Sequence, residues 1–124
     1  MAIDYTIYAD QGYVHVVGIG KQTMPEMVAV VDAIAEDPEF NFSYSVIFDL
    51  RKGNYTAELR DGEDFVSVLK RRMEQFQNKF ALLVPETLHV LAKLYSVLAT
   101  VGGFDRMKCF LDIEKAKEWC GITE

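Results

Sequence analysis

Cysteine is scarce: only Cys109 and Cys120 occur in the 124 residues. They form no CxxC pair and neither stands near a histidine in the chain, so metal and redox motifs of cysteine are absent and both thiols read as free and buried. Histidine is equally sparse. His15 falls within an expected strand and His89 on an expected helix, with no second ligand at metal-binding spacing, so each reads as a satisfied or solvent-facing imidazole, and no metal or cofactor is expected. No run of ~20 apolar residues exists; "TLHVLAKLYSVLATVGGF" comes closest and is interrupted by His89 and Lys93. Stable membrane insertion is therefore not expected.

Positive charge is in deficit as well. Thirteen Lys and Arg face nineteen Asp and Glu, a formal net charge of −6, which opposes general binding to nucleic acid or anionic membrane. The only basic run, Lys70 to Arg72, fans around a helix instead of forming one patch. Lys70 and Arg71 read as solvated, and Arg72 borders the buried face, where it pairs with an acid or snorkels. "GIGK" at Gly18 to Lys21 is no phosphate loop, since that motif requires glycine at His15 and a hydroxyl at Gln22. No Ser-His-Asp or Cys-His signature gives warrant for nucleophilic catalysis, so no catalytic residue is assigned and the chain reads as a non-enzyme. The opening "MAIDYTIYAD" lacks the basic region and apolar run of a signal peptide, and the expected compartment is the cytoplasm.

What is present is a half-apolar chain of globular composition, of a length suited to one domain over residues 1–124. No repeat, low-complexity segment or Ser/Gly/Pro linker divides it. "IDYTIYA" and "YVHVVGI", joined by "DQG", predict a hairpin with Gly12 at positive φ. "KQTMPEMVAVVDAIAEDP" switches to helical period, with Met27, Val30, Val31 and Ile34 on one face. Thr23 and Glu26 form a capping box, and Pro38 stops the helix. "YSVIFDL" is a strand apolar on both faces. "DGEDFVSVLKRRMEQFQ" predicts a helix capped by Asp61 that buries Phe65, Val66, Leu69, Met73 and Phe76. A strand "KFALLV", a helix "ETLHVLAKLYSVLATVGG", a strand "RMKCFL" and a helix "DIEKAKEWC" complete the order ββαβαβαβα: five strands in a mixed sheet, four helices, and right-handed parallel crossovers after an antiparallel first pair.

This layout, with "VHVVGIGKQTMPEM", "DPEF", "VIFDLR", "ALLVP" and "KCFLDIEKAKEW", resembles the SpoIIAA-like group of STAS-type domains over nearly the whole chain. The resemblance implies an α/β fold, a (βα) superhelix beneath a mixed sheet, and a regulatory or protein-binding role. The best-known members are phosphorylation-switched antagonists of anti-sigma factors, and others have been viewed as carriers of small hydrophobic molecules. The antagonists carry D-S-S-G after the third strand. Here Asp49 is followed by Leu50 and Arg51, and the next helix opens with Asp61, Gly62, Glu63 and Asp64, so the phosphoswitch has no matching serine.

Two candidate surfaces follow. The carboxyl ends of the strands gather Asp49, Arg51, Pro85, Glu86 and Asp112 on one rim, although Asp112 equally caps the last helix, Glu86 suits a first helical turn and Asp49 with Arg51 suits a local ion pair. The segment from Arg51 to Arg60 reads as a mobile recognition loop, with Tyr55, Ala57 and Leu59 alternating with Asn54, Thr56 and Glu58, or equally as a variable connector, since ordinary surface loops share this pattern. The interaction rim is thus Asp49, Arg51, Tyr55, Leu59 and Glu86. On the third helix His89, Lys93, Ser96 and Thr100 form one narrow polar stripe, leaving an apolar arc of roughly 200° where ~100° suffices to cover a sheet. Val90, Leu94, Val97 and Val101 are the surplus, to be covered by neighbouring helices of the same domain, a second copy of the chain, another protein, or a small lipid-like ligand. Phe65, Phe76 and Tyr95 are aromatic candidates for lining such a ligand site.

Overall fold

A computed structural model describes residues 3–55 and 60–122, the side chains of 54 and 55 excepted. The strands β1 (Ile3–Tyr8), β2 (Tyr13–Gln22), β3 (Ser45–Tyr55), β4 (Phe80–Leu83) and β5 (Met107–Phe110) alternate after the first pair with α1 (Met24–Glu36), α2 (Asp61–Arg71), α3 (His89–Val101) and α4 (Ile113–Cys120). The sheet order is β1-β2-β3-β4-β5. β1 and β2 are antiparallel and every later pair is parallel, as the crossover helices require. The hairpin turns through Gly12 at φ 72°, and the amide of Gly12 donates to the carbonyl of Tyr8.

Alternation along the strands separates two cores. Val14, Val16, Val46, Phe48, Phe80 and Leu82 face α1, α2 and α3, while Tyr13, Ile47, Ala81 and Leu83 face α4 around Ala116. Phe80 is the hub of the larger core, its ring centroid lying 5.9–6.2 Å from those of Phe48, Phe65, Phe76 and Phe104. The capping box of α1 forms as the sequence indicates: Thr23 accepts from the amide of Glu26, and the amide of Thr23 donates to the Glu26 carboxylate.

Several boundaries differ from expectation. β3 does not stop at Asp49 but runs to Tyr55, because the distal half of β2, beyond an irregularity between Val17 and Ile19, needs a partner and finds it in Lys52 to Tyr55. The first half of the expected recognition loop is therefore strand; residues 56–59, including Leu59, lie outside the described residues. Asp61 is not the cap of α2. Arg60 holds that position in helical geometry without a side-chain cap, and Asp61, Glu63 and Asp64 occupy the first turn, where carboxylates suit the positive helix end. α2 ends at Arg71 rather than continuing to Gln77, tightening into turns closed by the amides of Met73 and Gln75 on the carbonyls of Lys70 and Arg72. At that corner Arg72 pairs with Asp32 and Glu36 of α1, each at 2.9 Å, and Arg71, although exposed, also reaches Asp32. Phe76, beyond the helix, still enters the core.

Gly62 fixes the approach of α2 to α3, since a β-carbon there would lie 2.7 Å from the ring of Tyr95. Gly62→Ala is expected to destabilise the fold by about 1–3 kcal/mol through overpacking, despite alanine's better helix propensity. Urea unfolding measures it, and a stabilised variant would show that the two helices part at no cost.

Candidate interaction surface and the Asp49 cluster

α3 follows a 3₁₀ turn over Glu86–Leu88, so the α-helix starts three residues later than the apolar pattern suggests. Ala92, Tyr95 and Ala99 form its buried edge. The small side chains of Ala92 and Ala99 let the helix lie close on the sheet. The hydroxyls of Ser96 and Thr100 donate to the carbonyls of Ala92 and Ser96, four residues back, which occupies the polar stripe within the helix itself. On the side opposite Tyr95, Val90 is 74 % exposed, Leu94 44 %, Val97 58 % and Val101 82 %. β-Branched residues gain nothing from an exposed helix position, since valine is a weaker helix former than alanine by a few tenths of a kcal/mol or more.

Leu91, Ala92 and Tyr95 turn inward and, with Met24, Leu50 and Leu88, help to line an apolar cavity of about 20 Å³, room for roughly one water. Phe65 also lines it, whereas Phe76 packs elsewhere, between Phe40 and Phe80. The exposed stripe is not part of this cavity. A lipid-sized occupant would require α3 to lift from the sheet.

The second site lies on the sheet face that carries α4. Asp49, 6 % exposed, accepts from the Nε and Nη2 of Arg51 at 3.0 and 3.1 Å, and from the Arg51 amide at 3.1 Å. Its other contact is His15 Nε2 at 3.1 Å. Burial by itself raises the Asp49 pKa, but the hydrogen bonds from His15 and Arg51 outweigh it and hold the carboxyl well below its usual range. Asp49 and Arg51 thus form the ion pair that their spacing suggests. Asp112 caps α4 by accepting from the amide of Glu114 and lies close enough to raise the Arg51 pKa slightly, after the larger effect of Asp49. Glu86 sits in the 3₁₀ turn after β4 and, among the described residues, no hydrogen bond joins it to this cluster. Tyr55 closes β3 by pairing with Gln22.

Sequence reasoning read His15 as a satisfied or solvent-facing imidazole in a strand, and named no partner for it. It lies 34 positions from Asp49, and only the β2–β3 register brings the two together. Gln22 was likewise missed. It is buried, packed against Gly18 and Gly53, and its Oε1 has no hydrogen-bond partner among the described residues. Among the described residues the hydrogen-bond partner of the His15 imidazole is the Asp49 carboxylate. No three or more His, Cys, Asp or Glu side chains among those residues group in a way that could hold a metal ion. Cys109 and Cys120 are free, and half-buried rather than buried; burial raises both thiol pKa values, that of Cys120 to about 11. No helix among the described residues is long and apolar enough to cross a membrane.

Together these features define an α/β domain with three helices on one sheet face and one on the other. No protein-family model and no curated protein matches the chain. Among solved structures it is similar to an uncharacterised protein of the DUF3478 family with a SpoIIAA-like fold from Shewanella loihica PV-4, with a TM-score of 0.58 and 16 % identity over 96 % of this chain and 92 % of that one. The fold of the chain is SpoIIAA-like, a five-stranded mixed sheet with four helices, in agreement with the expectation from its sequence.

Proposed function

We propose that the chain is a non-catalytic protein-binding domain of the cytoplasm whose binding element is the outer face of α3. The observation that carries this reading is the row Val90, Leu94, Val97 and Val101, four apolar side chains facing water along one helix. Contiguous exposed apolar surface of this kind marks interaction sites. The face is also free of carboxylates, although the chain as a whole carries −6, so a protein can approach there without burying an unpaired acid. The two free thiols fit a reducing compartment.

The test is affinity capture from the source cell with three tagged chains: wild type, Val97→Glu, and Lys115→Glu on the far side of the sheet. Wild type and Lys115→Glu are expected to retain the same protein set. Val97→Glu should lose at least tenfold of it, with an unchanged circular dichroism spectrum because Val97 is exposed. Identical retention by all three removes α3 as the binding element.

A further inference from the structure

We infer that the occupant of this face is a second copy of the chain, docked through its own α3 in antiparallel sense about a twofold axis. This rests on the reading of α3 as the binding element. The exposed positions are spaced four, three and four residues apart, which is the seam of a helix pair. The spacing is symmetric about the midpoint between Tyr95 and Ser96, as an isologous contact requires. In the antiparallel pair Val90 meets the partner's Val101, and Leu94 meets the partner's Val97. Leu91 and Leu98, half-buried, flank the seam on one side, and Lys93 and Thr100 flank it on the other.

Charge selects both the occupant and its direction. Two chains of −6 repel, and α1, α2 and α4 all present carboxylates, among them Asp32, Glu36, Glu63 and Glu118. α3 has none, and Lys93 is its only lysine or arginine. Two copies therefore approach with least repulsion along α3. Lys93 sits in the second turn of its own helix, near the positive end of the dipole, where a cation is poorly placed. An antiparallel copy brings it beside the partner's Thr100 and the carbonyl end of that helix, where a cation is favoured. α3 carries no basic residue in its own last turn, so the second copy supplies the missing charge. A parallel pair would leave Lys93 beside the positive end of both helices.

Thirteen helical residues span about 20 Å, so the contact falls below the ~1,200 Å² of a standard interface and implies micromolar, concentration-dependent association. Sedimentation equilibrium from about 5 to 500 μM, a range chosen around that affinity, should show a mass rising from 14.1 kDa towards twice that value, with Val97→Glu weakening the association at least tenfold. Direction is read by mild oxidation of Val90→Cys and Val101→Cys chains, with wild type as the blank for Cys109 and Cys120. A mixture of the two variants should form disulfide dimers at least fivefold faster than either alone, because only the antiparallel pair brings unlike positions within disulfide reach. Equal cross-linking by each variant alone overturns the antiparallel pair. A wild-type mass of 14.1 kDa throughout overturns self-association, and a capture difference at Val97→Glu would then still uphold α3 as the face for a different protein.

Discussion

Phe80→Ala is expected to lower unfolding stability by about 3–5 kcal/mol, a large share of the ~5–15 kcal/mol typical of a folded domain. Phe80 is almost fully buried on β4, and its ring touches four others that come from β3, α2, the turn after α2 and the segment after α3. Removing it costs the transfer free energy of the ring, leaves a cavity, and ends aromatic contacts worth about 0.5–1.5 kcal/mol each beyond their burial. Phe42→Ala is the matched control. Phe42 is exposed and should lose no more than about 0.5 kcal/mol. Denaturant melts of the two variants separate these outcomes, and equal losses would show that the Phe80 cluster is not the centre of the core.

Asp49→Ala should cost about 2 kcal/mol at neutral pH, through the lost hydrogen bonds to charged and imidazole donors. This is less than the 3–5 kcal/mol typical of a fully buried pair, because the Arg51 side chain is 35 % exposed and turns to water when its partner is gone. The pH dependence has a definite sign. The folded pKa of Asp49 lies below the ordinary value, so folding releases a proton that the unfolded chain binds at about pH 3.9. The contribution is fully present above that value and is lost as pH falls through the folded pKa. The stability gap between wild type and Asp49→Ala should therefore shrink as pH falls below about 4. A gap unchanged down to pH 2 would mean that the carboxylate charge contributes nothing.

Much of this architecture was legible in local signals. The capping box of Thr23 and Glu26, the switch from period two to period 3.6 after Gln22, and the doubly apolar β3 and β4 each follow from a few adjacent residues. The surplus apolar arc of α3 was legible too, because helical spacing alone counts the residues that one sheet face cannot cover. The part of that arc that meets water, Val90, Leu94, Val97 and Val101, was legible as well. What was not is the choice of Ala92 and Ala99 for the close contact, a tertiary preference for small side chains. The charged start of the segment after Asp49 concealed more strand, since Arg51 and Lys52 look like loop residues until β2 is seen to need a partner. The pairing of His15 with Asp49 depends on parallel register across an irregular ladder, and no local pattern encodes that.

The strand order along the sheet is also the order in which the strands are synthesised. Each crossover lays its new strand beside the one just finished, and no strand has to be threaded between two already paired. The sheet can therefore grow outward from the β1–β2 hairpin as the nascent chain leaves the ribosome, with loop closure limited at each step to a single helix and its connections. Until β4 brings Phe80 into place, the faces of Phe48 and Phe65 lack one of their main aromatic neighbours. The emergence of residues 80–83 thus completes the contacts of Phe80 with Phe48 and Phe65, while Phe104 and the α3 side of the same core still wait on the rest of the chain.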